Sequence, residues 1–154
     1  MKYLITAILF VLTLTSCMEK KNLQAIAEAQ MMQADREFSA LSAKIGEVRA
    51  FKRYMAPNGL KLPLEGRPMS YEDYMRMEEL PTTSNTETLT WEPEFAVASE
   101  AGDMGYTHGT YLYEFYDNNG NIQQHTGYYV TIWKKIGTEW KFVYDAGNKA
   151  QVTK

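Results

Sequence analysis

One cysteine, Cys17, stands in a chain of 154 residues. A single thiol allows no disulfide within the chain and no multi-cysteine zinc site. Histidine is nearly as scarce: His108 and His125 are the only two, in neither an HxH nor an HxxxH spacing, so no metal site is expected. There is no glycine-rich phosphate loop, no GxSxG elbow and no HExxH run, which leaves phosphate cradling, serine nucleophiles and zincin chemistry without support, and no cofactor is implied. Sixteen basic residues face nineteen acidic ones, for a net charge of −3, and they form no cationic stripe. Nucleic acid is therefore not an expected partner, because phosphate binding needs clustered cations. No apolar run reaches the roughly 20 residues needed to cross a bilayer. Repeats and low-complexity tracts are also missing.

What is present begins at the N-terminus. Lys2 supplies a short positive region, Tyr3 to Leu14 an apolar stretch, and Leu14-Thr15-Ser16-Cys17 a small-residue processing site. This run resembles the lipobox of bacterial lipoproteins: a branched apolar residue, two small residues, then Cys. The resemblance implies that residues 1–16 are a signal peptide and that Cys17 becomes the lipidated first residue. Without lipidation the same run reads as an ordinary signal peptide. Residues 17–22 then form a polar tether. The chain from Cys17 onward keeps 15 basic and 19 acidic residues, a net charge of −4. One acyl chain anchors only marginally, so stable attachment takes several. The expected address is the bacterial cell envelope, anchored through the N-terminal lipid at a membrane and facing the periplasm or the exterior.

The remainder divides into a helical front and a stranded back. Leu23, Ile26, Ala27, Met31, Ala34, Phe38, Leu41 and Ile45 recur at helical spacing, and Gly46 interrupts them. Val48, Phe51 and Met55 make a second stripe, ended by Pro57-Asn58-Gly59. Leu60, Leu62 and Leu64 alternate in an edge strand or ordered loop. Ser70-Tyr71-Glu72-Asp73 reads as a capping box opening a third helix, which runs to about Leu80 and stops at Pro81. After a loop at residues 82–85 the period changes to two. Segments 86–91 and 94–99 are strand-like, divided by Glu92-Pro93. Long strands 104–116 and 122–136 flank the turn Asp117-Asn118-Asn119-Gly120-Asn121, and Gly137-Thr138 turns the chain into a last strand, 139–145. The expectation is an α+β domain over residues 23–148, about three helices packed on an antiparallel sheet, with a tail at 149–154.

Within that order stand Asp35-Arg36-Glu37-Phe38, Trp91-Glu92-Pro93, the run Gly102 to Tyr111, the run Gly127 to Lys135, and Trp140-Lys141. Together they resemble the SnoaL-like domains of the nuclear transport factor 2-like superfamily, in the branch catalogued as a domain of unknown function. The resemblance spans roughly residues 23–148. It implies a cystatin-like cone, a curved sheet wrapped around helices with a cavity at the open end, and a homodimer formed through the sheet. It does not imply one chemistry, since the fold carries isomerases, cyclases, dehydratases and non-catalytic modules. In ketosteroid isomerase relatives a carboxylate base precedes a proline after the second helix. Here Leu62 precedes Pro63, so that base is missing. Polyketide cyclase relatives use an aspartate, for which Asp145 is the positional counterpart.

Several residues could carry chemistry. Asp35 flanks the apolar face of the first helix, where a carboxylate must be paired or hydrogen-bonded; buried, its pKa would rise, which suits an acid–base group. The alternative is a structural aspartate bonded to a tyrosine or a backbone amide. His108 shares a strand face with Met104, Tyr106, Thr110 and Leu112, while Gly105, Thr107, Gly109, Tyr111 and Tyr113 take the other. One sequence does not say which face lines the cone. Tyr129, Thr131 and Trp133 share a face, as do Trp140, Phe142 and Tyr144, and in a regular strand Asp145 falls opposite the latter three. Trp91, Tyr106, Tyr129 and Trp133 could wall a pocket for a small apolar or aromatic ligand, or fill a core or a dimer face. The catalytic candidates are thus Asp35, His108 and Asp145. Two readings stand: a tethered small-molecule-binding domain, or an acid–base enzyme of isomerase, cyclase or dehydratase type. A third is an association module with a filled cavity.

Overall fold

In the computed structural model, residues 2–78 and 87–150 are described, with side chains from Lys21 onward. The lipobox side chains, the Pro81 helix stop and the loop at residues 82–85 lie outside the described residues. Helix α1 (Lys2–Ile45) is followed by α2 (Glu47–Tyr54), β1 (Met55–Leu62), β2 (Met69–Ser70), α3 (Tyr71–Arg76), β3 (Glu87–Ala98), β4 (Met104–Tyr116), β5 (Ile122–Ile136) and β6 (Glu139–Lys149). Helix α1 runs back through the positions expected to be a tether. Gly46, at φ +90°, breaks α1 from α2, a backbone region open to glycine at little cost. Ser70 caps α3: its hydroxyl accepts from the Asp73 amide while the Asp73 carboxylate accepts from the Ser70 amide, and the helix ends at Arg76, short of the expected Leu80, because Met77 turns extended.

The six strands of the described residues form one sheet in the order β2-β1-β6-β5-β4-β3, antiparallel except where β1 runs parallel to β6. Two expectations change here. The segment around Pro57-Asn58-Gly59 is strand β1, with its irregularity between Met55 and Leu60, because pairing with β6 overrides the turn propensity of those residues. The two short strands around Glu92-Pro93 are the single strand β3, with a register shift between Pro93 and Phe95. That irregularity and a bulge in β6 bend the sheet around the helices.

The helices lie on one face, and Phe38 is the hub. Its ring centroid lies 4.7 Å from Phe51, 4.6 Å from Tyr54, 4.6 Å from Trp91 and 5.8 Å from Phe142. Ala27, Met31, Ala50, Met55, Ala98, Trp133 and Trp140 complete the packing. One glycine of β4 follows from this. A Cβ at Gly105 would collide with the Met31 methyl and the Val97 carbonyl, so Met31 presses directly on the strand.

Helix α1 also protects the free edge of β3. The Ser39 hydroxyl accepts from the Trp91 amide at 2.8 Å, and the Ser42 hydroxyl donates to the Leu89 carbonyl at 2.8 Å. Further along, the Gln24 amide donates to the Ala98 carbonyl at 3.1 Å, and Glu28 accepts from the Ala98 amide at 3.2 Å. Backbone groups that would otherwise invite another strand are thereby occupied.

Candidate functional site

The inner face of the sheet carries a polar row. Thr107 on β4, Thr131 on β5, Asp145 on β6 and Lys61 on β1 are register partners across four strands. Asp145 joins this row because of the bulge: Trp133 pairs with Phe142, but Ile132 pairs with Tyr144, leaving Val143 unmatched. The extra residue shifts the phase by one, so Asp145 turns inward with Trp140 and Phe142. The regular-strand expectation, which set Asp145 opposite those residues and Tyr144 beside them, is corrected by that single residue.

Two carboxylates sit at different depths. Asp35 is fully buried behind the cavity wall. One of its oxygens accepts from the Trp91 indole N–H at 2.6 Å and the other from the Tyr129 hydroxyl at 2.8 Å. Thr107 bonds the same carboxylate and accepts from the Trp133 indole N–H at 2.8 Å. Burial lifts the Asp35 pKa from 3.8 to about 6, while the hydrogen bonds from Thr107, Trp91 and Tyr129 oppose that rise. The Tyr129 hydroxyl is pushed well above its usual range, first by burial and then by the neighbouring Asp35 charge. Asp35 therefore orients two aromatic walls and does not itself line the cavity.

Asp145 does line it. Its carboxylate accepts from the Thr131 hydroxyl at 2.7 Å and pairs with Lys61 Nζ at 3.2 Å. Lys61 Nζ also lies 3.5 Å from Glu47 and 3.6 Å from the centroid of the Phe51 ring. Glu47 in turn is held by Tyr74. Above this charged base, Leu62, Leu64, Leu89, Trp91, Tyr111 and Tyr129 wall a cavity of about 300 Å³ that opens to solvent, at the lower end of the range for small-molecule sites. The Tyr111 hydroxyl is buried without a hydrogen-bond partner among the described residues. Its ring crosses Gly127, where a Cβ would meet Tyr111 Cε1 at 2.6 Å, so that glycine is what lets the ring lie flat against the sheet.

The candidates thus separate. Asp35, Trp91, Tyr129 and Trp133 join one hydrogen-bonded network, and Trp91, Tyr129 and Asp145 reach the cavity. Trp133 has no exposed surface and serves the core instead of a ligand. His108 and Tyr106 lie on the outer face, because the Gly105–Thr107–Gly109 face is the one turned toward α1. The His108 ring stacks on Phe95 at 5.1 Å and Tyr128 at 6.2 Å, across the sheet from both aspartates. Neither residue can act in the cavity. Lys61, Glu47 and Tyr111 were not anticipated. The one available signal was a lysine between Leu60 and Leu62, in an otherwise apolar alternation. Among the described residues no three His, Cys, Asp or Glu side chains gather as a metal set.

A curved sheet folded over N-terminal helices, with a cavity at one end, defines the nuclear transport factor 2-like, cystatin-like fold, and comparison with solved structures bears this out. An NTF2-like superfamily protein from Salmonella enterica superposes with a TM-score of 0.63 at 16% identity, over 84% of this chain and 95% of that one. An NTF2-like protein with a cystatin-like fold from Novosphingobium aromaticivorans gives 0.63 at 8% identity, covering 81% and 82%. The CaMKII hub of S. rosetta gives 0.60 at 14% identity, covering 80% and 96%. At these identities the likeness establishes the fold. No protein-family model matches the chain. No curated protein matches it in sequence.

Proposed function

We propose that this protein is a bacterial envelope lipoprotein, tethered through Cys17, whose cone binds a small apolar or aromatic molecule without transforming it. The observation that carries the binding reading is the cavity itself: aromatic and aliphatic walls, access to solvent, and a Tyr111 hydroxyl with no hydrogen-bond partner among the described residues. Binding ranks ahead of acid–base catalysis for a physical reason. Asp145 and Glu47 share one ammonium group, Lys61, so neither is held as a free base. Asp35, the carboxylate with the raised pKa, stands behind Tyr129. The tether rests on the run Leu14 to Cys17. Native mass spectrometry of protein purified from its own envelope tests both parts. Wild type should carry acyl mass on Cys17 and retain a small molecule that Gly147→Leu, which projects a side chain from the cavity wall, releases. Absence of any retained molecule counts against binding, and absence of acyl mass counts against the tether.

A second reading, homodimerisation through the sheet, is favoured by the outer face. Phe95, Val97, Met104, Tyr106 and Tyr128 are all at least a third exposed there, and solved proteins of the same fold include a CaMKII association domain from C. elegans.

A further inference from the structure

The cavity and the chain entrance lie at opposite ends of the domain. Leu23 enters beside the β3–β4 turn, where a Cβ at Gly102 would meet the Leu23 carbonyl at 3.0 Å. Gln24 bonds Ala98 at the same end. Ser42 bonds Leu89, a cavity-lining residue, at the other. Two rulers give the separation. From Gln24 to Ser42 the helix rises about 27 Å at 1.5 Å per residue. From Ala98 back to Leu89 the strand spans about 30 Å at 3.3 Å per residue.

The chain between Cys17 and Leu23 is shorter than that. As the helix it forms here it covers about 9 Å, and fully pulled out no more than about 21 Å. A domain about 27 Å long on such a leash can lean over but cannot turn end for end. We infer that the cavity of the anchored protein opens away from the bilayer and takes its ligand from the aqueous compartment, not from among the membrane lipids. This rests on the tethered, ligand-binding reading above. The ligand class that follows is a water-borne small molecule with an apolar or aromatic body, free to diffuse to a cavity whose lining includes the exposed Leu64. A bilayer-resident lipid would have to leave the membrane before reaching it.

The scarcity of cysteine supplies the test. With Cys17 acylated, a cysteine introduced into the full-length lipidated chain is the sole thiol available for a fluorophore. Leu64→Cys reports the cavity end and Ile26→Cys the chain entrance, both natural side chains being well exposed. The protein is placed in vesicles of phosphatidylethanolamine and phosphatidylglycerol containing a brominated phosphatidylcholine, and each label is also titrated with aqueous iodide. The expected result is several-fold stronger quenching by brominated lipid at position 26 than at position 64, with iodide reaching position 64 freely. Equal or stronger lipid quenching at position 64 overturns the orientation while leaving the tether intact. Lipid quenching at neither position removes the tether, and the orientation with it. Added 2-naphthol, a neutral water-soluble aromatic, should change the position-64 emission saturably, and the additional substitution Gly147→Leu should abolish that change. No saturable change overturns the water-borne aromatic ligand independently of how the domain is oriented.

Discussion

The two faces of the sheet are built from similar residues and do opposite things. On the inner face Trp91, Tyr111, Tyr129 and Trp133 meet helices, hydrogen-bond partners or a cavity wall. On the outer face Phe95 and Tyr128 stack on His108 between them, Tyr106 meets Phe95 edge-on, and Phe95, Tyr106 and Tyr128 stay open to solvent. Aromatic content therefore does not mark the site. What marks it is the second layer: α1 lays Met31, Asp35 and Phe38 against one face only, and these convert exposed rings into core and oriented walls. Asp35 is the clearest case, because its carboxylate joins Trp91, Tyr129 and Thr107 from three different strands.

Breaking the inner face at its hub should have the largest effect. Phe38→Ala removes the ring that touches Phe51, Tyr54, Trp91 and Phe142, and should cost about 3–5 kcal/mol in urea unfolding. A loss under about 1 kcal/mol would mean the site collapses to fill the hole or the hub is misassigned.

The next effect sharpens the contrast through pH. The folded protein holds the Asp35 proton more tightly than the unfolded chain, with a pKa of about 6 against 3.8. The stabilising contribution of this group is therefore complete below about pH 4 and declines as pH rises to about 6, by about 3 kcal/mol in all. Asp35→Asn should flatten that part of the stability profile. A wild-type slope that persists in the variant would assign the titration to another group.

The smallest effect on stability belongs to the outer face. Tyr106→Glu should shift unfolding by no more than about 0.5 kcal/mol, the usual limit for surface positions. If the sheet face pairs two copies, the same substitution should convert dimer to monomer in sedimentation equilibrium. A wild-type protein that sediments as a monomer at all concentrations would end that reading, and the two faces would then differ in burial alone.

How much of this was legible beforehand follows from how local each feature is. The Gly46 break, the Ser70 capping box and the tight turn at Asp117, whose carboxylate accepts from the Asn119 and Asn121 amides at 2.9 Å, depend on residues within a few positions of one another. Propensity and side-chain chemistry suffice for such features. The strand through Pro57 and Gly59 was not legible, because its partner Phe142 to Ala146 lies more than eighty residues away. Burial of Asp35 and a tyrosine partner could be suspected from its place beside Phe38, but not which tyrosine, nor the Trp91 and Thr107 partners.

Reading along the chain was enough for the helical front broken at Gly46, the long hairpin strands around Asp117, the α+β class and the resemblance to the nuclear transport factor 2-like cone, since periodicity and turn chemistry are properties of neighbours; β1 and β2 were not among them. Tertiary structure alone decided which sheet face is inside, because a strand offers both faces equally until a helix covers one. It also decided that Asp145 points inward, through one unpaired residue at Val143 that reverses the alternation. And it set the cavity about 27 Å from the point where the chain enters, a distance that exists only once α1 lies along the full length of β3.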